Sequence, residues 1–177
     1  TRKLLSNFEI KNKIVSYHDH SPETKENHII DDLKAEKTIA LVSDGGTPLV
    51  SDPGYRLVRR AREEGLSVSP IPGPSSVIAA LSVSGFPTDR FCFLGFVPKK
   101  KRRKFFLEMP DMTTVILESP YRINKTLDLM AEMLPDRKIF IGREITKRFE
   151  EFKRGRAKDL DYKDARGEIT IVIEKRF

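Results

Sequence analysis

The 177-residue chain has a single cysteine and no apolar run long enough to cross a bilayer. One thiol cannot form an internal disulfide, and it argues against redox chemistry or a zinc cage. That residue, Cys92, lies in RFCFLGF, where a small buried hydrophobe is the better reading than a nucleophile. The opening TRKLLSNFEIKNK lacks the apolar core of a signal peptide, so a cytoplasmic globular protein is expected. Metal ligands are equally thin. His18 and His20 share a strand face without a fixed carboxylate partner, and with His28 they read as surface or loop residues, so no metal is expected.

With 38% hydrophobic residues, the chain can pack one large domain or two small ones. Its charge is unevenly divided. Residues 1–88 hold 11 Lys and Arg against 11 Asp and Glu, whereas residues 89–177 hold 22 against 15 and so carry the whole excess of +7. Such asymmetry suits a half that faces a polyanion, although basic residues also serve simply to solvate a surface.

Along the chain, LLSNFEI reads as the end of a helix, KIVSYHDH as a short strand, and TKENHIIDDLKAEK as a helix with Ile29, Ile30 and Leu33 inward. TIALVS is a continuous apolar run of strand length, the pattern of a parallel strand covered on both faces, and LSVSPI reads as the next strand. Between them, Ser51 or Asp52 caps a helix with Pro53 at its first position and Leu57, Val58 and Ala61 inward, ending at Gly65. SVIAALSVSG is a further helix stopped by Gly85. Beyond FPTDR come the strand RFCFLGFVP, a basic helix in KKKRRKFFLEM, the buried strand TTVILESP and the amphipathic helix INKTLDLMAEML. The strands KIFIGREI and GEITIVIE then frame a charged helical stretch, KRFEEFKRGRAKDL. These repeated units predict an α/β protein of two lobes, each a mixed or parallel sheet flanked by helices, with a boundary near Pro87 and Thr88.

Two loops invite a ligand. Asp44, Gly45, Gly46, Thr47 and Pro48 follow the apolar run TIALV, at the strand end where open α/β sheets bind small molecules. The stretch lacks the Lys of a phosphate-binding Walker loop and the glycine spacing of a dinucleotide fingerprint, which argues against ATP and NAD. Asp44 suits a ribose or an ammonium group, as in a nucleoside-type cofactor, while an ordinary Gly-Pro turn is the plainer alternative. In PGPSS, Ser75 and Ser76 face the same choice between a ligand and a helix cap.

Taken in order, SDGGTPLVSDPGY, PIPGPSS, FLGFVP, ESPYRI, REITKRFEE and GEITIVIE span nearly the whole chain, and together they resemble the tetrapyrrole methylase superfamily, specifically its ribosomal RNA branch. The resemblance implies two α/β lobes with S-adenosyl-L-methionine held between them, usually in a homodimer. It also implies methylation of the ribose 2′-hydroxyl of a cytidine in 16S ribosomal RNA within the small ribosomal subunit. Asp44 to Pro48 match one cofactor loop, Ser75 and Ser76 a second, and Leu117 to Ser119 the strand end from the other lobe. Members begin with a strand and a Gly-x-Pro-Ile-Gly-Asn loop. The first residues here match the helix after it, so the 1–88 lobe is expected without its first strand, with folding and cofactor binding weakened. A second departure is Ser21, where the family tends to have Asn.

Methyl transfer from a sulfonium needs in-line approach, so positioning carries much of the catalysis. A ribose hydroxyl gains from a base or from a cation that stabilises the developing alkoxide. Glu144, Arg143 and Lys147 in REITK, with Glu118 and Arg122 in ESPYR, follow strand ends and are the candidates; ion pairing or capping is the alternative for each. For RNA, six consecutive cations, Lys99, Lys100, Lys101, Arg102, Arg103 and Lys104, stand beside Phe105 and Phe106, with Arg148, Lys153, Arg154, Arg156 and Lys158 later. Phosphate neutralisation and base stacking use these residue types. Two rival functions stay open: methylation of a corrin or porphyrin precursor, and a non-enzymatic RNA-binding module.

Overall fold

The computed structural model describes residues 1–162 and 166–176. The chain divides into two compact units, Thr1–Pro74 and Ser75–Phe177. No helix among the described residues is long and apolar enough to cross a membrane.

The second unit is built on a five-stranded mixed sheet: β1 (Phe91–Phe96), β2 (Thr113–Glu118), β3 (Lys138–Arg143), β4 (Glu151–Arg156) and β5 (Ile169–Ile173). Its order is β1-β2-β5-β3-β4, and only the β1–β2 pair is parallel. Helix α5 (Arg102–Leu107) lies in the β1–β2 connection and α6 (Ile123–Met133) in the β2–β3 connection. The last strand, β5, pairs antiparallel with both β2 and β3 and fills the space between them.

Period-two alternation sends side chains to two cores. Ile139, Ile141, Ile169, Ile171 and Ile173 join Ile123, Leu127 and Met130 of α6 and Phe106 of α5. Val115, Phe140 and Val172 instead meet Val77, Ala80 and Leu81 of α4 (Ser76–Ser84), together with Phe86. Because α4 buries its apolar face on this sheet, the compact units part at Pro74 and Ser75, ahead of the Pro87–Thr88 joint read from the sequence. Gly85, left-handed at φ 68°, ends α4 as expected.

The first unit is helical: α1 (Arg2–Asn7), α2 (Glu23–Lys34) and α3 (Tyr55–Glu63). Ile30, Leu57 and Ala61 form its core, with Tyr17, Ile29, Leu33, Leu66 and Val68 packed around them. The strands expected from KIVSYHDH, TIALVS and LSVSPI do not form; these runs carry no ladder. Their apolar side chains show the physical reason, since Ile39 and Val42 stay exposed and Ile71 is 83% exposed. A strand is stable only when a neighbour takes up its backbone donors and acceptors and its faces are covered.

Two further elements differ from the expectation. The start of α3 moves to Tyr55, capped by Gly54, whose N–H donates to Asp19 Oδ1 at 3.1 Å, so neither Ser51 nor Asp52 serves as the cap. The stretch KRFEEFKRGRAKDL forms β4 and a short 3-10 turn, Ala157–Asp159, in place of a helix. Residues 151–156 alternate between half-buried and exposed, and pairing with β3 captures that two-residue period.

Candidate active site and nucleic-acid interface

In the first unit, the loop after TIALV doubles back onto the PIPGP turn. Thr47 N–H donates to the Pro74 carbonyl at 3.0 Å. Gly46, at φ 71°, lies so close that an added Cβ would sit 2.9 Å from that oxygen, so the turn requires glycine. Ser43 Oγ donates across the turn to the Gly45 carbonyl at 3.2 Å. Asp44 and Gly45 are exposed, and open space surrounds the Gly45 Cβ position. The loop is therefore internally braced while its acidic tip faces outward. Ser75 begins α4 as its N-cap residue but makes no side-chain cap bond, and Ser76 is the first helical residue.

At the end of β2 the chain buries a carboxylate. Glu118 is 1% exposed. Its Oε1 accepts the Ser119 N–H at 2.6 Å and pairs with Arg122 at 2.6 Å, while its Oε2 accepts the Thr126 hydroxyl at 2.5 Å. Arg102, the first residue of α5, donates to the same Thr126 hydroxyl and reaches Glu118 at 3.7 Å. Four partners satisfy an otherwise costly buried charge. Leu117 is fixed by the sheet, its carbonyl accepting the Val97 N–H at 3.0 Å. Ser119 closes a turn by accepting the Arg122 N–H at 3.0 Å.

After β3, the chain turns through left-handed Glu144 (φ 49°) and Thr146 (φ 65°). Glu144 N–H donates to the Glu168 carbonyl and Glu144 Oε1 accepts the Glu168 N–H, both at 2.9 Å. Lys147 Nζ lies 3.1 Å from Glu144 and 3.2 Å from Glu168. The Glu168 amide, followed by Lys147, holds the Glu144 carboxyl below the usual carboxylate range. Burial pulls the Lys147 ammonium down, but its bonds to Glu144 and Glu168 prevail and hold it above the usual lysine range. Gly167 is necessary here because a Cβ would run into the Glu144 side chain. Arg143 pairs with Glu151 at 2.9 Å and donates to the Arg166 carbonyl.

The basic run is split by its partners. Arg102 turns inward to Thr126, and Arg103 forms a two-bond pair with Glu132 at 2.5 and 2.7 Å. Lys104 lies 3.5 Å from Glu108. Lys99, Lys100 and Lys101 are exposed before α5. The aromatics beside the run do not face outward for stacking as the sequence suggested. Phe106 is buried, and Phe105 meets it edge to face at 5.3 Å, anchoring α5 to the core. Exposed aromatics of this unit lie elsewhere: Phe91, Phe96 and Phe152 on the sheet, Tyr121 in ESPYR, and Phe149 with Arg148 stacked 5.5 Å above its ring.

Sequence reasoning missed Thr126, although a polar residue on the Ile123, Leu127 and Met130 face of α6 was an available signal. It also passed over Tyr121, for which the motif offers no signal of exposure. Among the described residues, no group of three or more His, Cys, Asp or Glu is arranged for a metal.

The family model of tetrapyrrole (corrin/porphyrin) methylases matches residues 2–161. A ribosomal RNA small subunit methyltransferase I of Halalkalibacterium halodurans is 47% identical, over 98% of this chain and 63% of its own length. The protein of that name in Thermotoga maritima is 39% identical over 98% and 81%. The chain thus spans slightly under two thirds of the first of these relatives. Among solved structures, a diphthine synthase superposes with a TM-score of 0.69 at 18% identity, covering 98% of this chain and 73% of that one. A uroporphyrin-III C-methyltransferase from Thermus thermophilus, complexed with S-adenyl homocysteine, gives 0.59 at 17% identity, over 93% and 78%. At these identities the structural matches establish the fold alone.

Proposed function

Because the chain belongs to the tetrapyrrole (corrin/porphyrin) methylase family, we propose that it methylates the ribose 2′-hydroxyl of a cytidine in 16S ribosomal RNA, using S-adenosylmethionine. The observation that carries this reading is the 47% identity to a ribosomal RNA small subunit methyltransferase I. The basic excess of residues 89–177 supports it, since a small tetrapyrrole would not need an extended cationic surface. The rest of the reading is a cytoplasmic homodimer acting on the small ribosomal subunit. In it, residues 1–88 carry cofactor loops and residues 89–177 face the substrate.

The residues of the Asp44–Pro48 loop fit such a cofactor. Gly46 lets backbone approach closely, and the exposed Asp44 carboxylate can accept hydrogen bonds from ribose hydroxyls or an ammonium group. By the family resemblance, we assign Asp44, Gly45, Gly46, Thr47, Pro48, Ser75, Ser76, Leu117 and Ser119 to cofactor binding. The bound cofactor supplies an electrophilic methyl group on a sulfonium. The chain's own contribution is to orient the ribose and to balance the charge that develops on its oxygen.

For that charge we propose Lys147 and Arg143. The Glu144 carboxylate, with its lowered proton affinity, is a weak base, and its bonds suit it to aiming Lys147. Glu118, buried and fully engaged, suits a positioning role. Lys99, Lys100, Lys101, Lys104 and Arg148 would meet phosphates, with Arg103 joining them by exchanging its exposed Glu132 partner. Arg102 and Arg122 would act through Glu118.

The test is transfer of labelled methyl from S-adenosylmethionine to small ribosomal subunits from cells lacking the modification, with nucleoside mass spectrometry of the digested RNA. Appearance of 2′-O-methylcytidine is the expected result. Cofactor binding without transfer to RNA would overturn the ribosomal reading in favour of a small-molecule substrate.

A further inference from the structure

Among the described large hydrophobic side chains of the second unit Tyr121 is the most exposed, at 92%, yet the turn that carries it is held by hydrogen bonds and an ion pair. Arg122 N–H closes the turn on the Ser119 carbonyl, and the Arg122 side chain pins it to buried Glu118. The same carboxylate, with Thr126, holds Arg102 at the start of α5, directly after exposed Lys99, Lys100 and Lys101. Two segments far apart in sequence, the lysine run and the Tyr121 turn, are thereby tied to one buried group. Arg102 Nε and Arg122 NH1 are buried without a hydrogen-bond partner among the described residues, so this junction brings more donor capacity and positive charge than Glu118 neutralises.

An outward aromatic on a rigid turn, tied to a cationic run, has the chemistry of a single-strand RNA contact. A ring with few rotatable bonds stacks a base at small entropic cost, and lysines track the backbone. The duplex form hides its bases, so the partner must present an unstacked nucleotide. We propose that Tyr121 is a base-stacking residue, and that it forms with Lys99–Lys101 one single-stranded RNA surface organised by Glu118. The inference rests on the RNA reading above and adds to it the form of the RNA recognised and the residue that reads it.

The experiment measures binding of the full chain to a single-stranded RNA oligonucleotide containing 2-aminopurine, and to a duplex of the same sequence, by anisotropy and by quenching of the base analogue. Tyr121→Ala should weaken single-strand binding about 5- to 100-fold and abolish quenching, with Tyr121→Phe within about twofold of wild type. Replacing Lys99, Lys100 and Lys101 by Ala should reduce the slope of log affinity against log salt by about 2 while leaving quenching of the bound fraction intact. Glu118 is a positioning residue in this scheme, so Tyr121→Ala should cost less in a Glu118→Gln or Arg122→Lys background than in wild type. Salt-dependent binding unaffected by Tyr121→Ala would overturn the stacking surface and leave the RNA reading standing. No RNA binding by the wild-type chain would overturn both. Additive effects of Tyr121→Ala and Arg122→Lys would overturn the role given to Glu118.

Discussion

Residues 1–74 and 75–177 use the same sequence grammar, an apolar run followed by a loop and then a helix, and arrive at different structures. TTVILE, KIFIGR and ITIVI become paired strands whose Ile116, Ile141 and Ile171 are fully buried. TIALVS and LSVSPI, also of strand length, stay unladdered with Ile39, Val42 and Ile71 exposed. An apolar run therefore encodes a capacity to pair, and its burial depends on neighbours that residues far along the chain supply. Here β5, the last strand, supplies them by pairing with β2 and β3 at once.

The largest expected effect follows from this contrast. Ile141→Ala should lower stability by about 3 kcal/mol through lost burial and a cavity, whereas Val42→Ala should stay within about 0.5 kcal/mol. Urea denaturation of both variants checks it. Equal losses would mean that TIALVS is as well packed in solution as β3, and the contrast between the units would be gone.

A buried carboxylate in each unit gives the next comparison. Glu26 accepts the Tyr17 hydroxyl at 2.7 Å and meets Arg56, whose side chain is 41% exposed, at 3.2 Å. Glu118 satisfies a backbone N–H, a threonine hydroxyl and two half-buried arginines. Removing a charge that neutralises buried partners costs more than removing one whose partner reaches water. Glu118→Gln should destabilise by about 3 kcal/mol and Glu26→Gln by about 1 kcal/mol, read as hydrogen-exchange protection in the respective units. A reversed order would show that Glu26 is the more enclosed centre in solution.

How much was legible follows from where the determining contacts lie. The helices with clear 3.6-residue periodicity, such as α6 with Ile123, Leu127 and Met130, and the β-branched runs of β2, β3 and β5 were read directly from local pattern. The stretch 147–160 was misread because its charge favours an exposed helix, while its two-residue alternation acquires meaning only beside β3. The motif residues Glu118, Arg122 and Glu144 were found, but their partners Thr126, Arg102 and Glu168 lie 8, 16 and 24 positions away. Outward Phe105 and Phe106 were inferred from the company of lysines, a neighbourhood in sequence that says nothing of which helix face meets the core.

The smallest expected effects concern pH, and they separate the units by sign. In the first, burial and the bond to Glu26 push the Tyr17 hydroxyl up to about 12. The folded state thus favours the neutral phenol, and its contribution is complete below the unfolded tyrosine value, about 10, and lost as pH rises toward 12. Tyr17→Phe should remove that alkaline loss. In the second, Glu144 is held below the usual carboxylate range by the Glu168 amide and Lys147, so its contribution is present above about 4.3 and lost as pH falls through the lowered value. Glu144→Gln should flatten the acid limb of the stability profile and leave the alkaline loss due to Tyr17 in place. Denaturation midpoints measured from pH 2 to 11 for the two variants distinguish these cases. An unchanged acid limb in Glu144→Gln would mean that the contact with residue 168 does not persist in solution, and the proposed aiming of Lys147 would lose its physical basis.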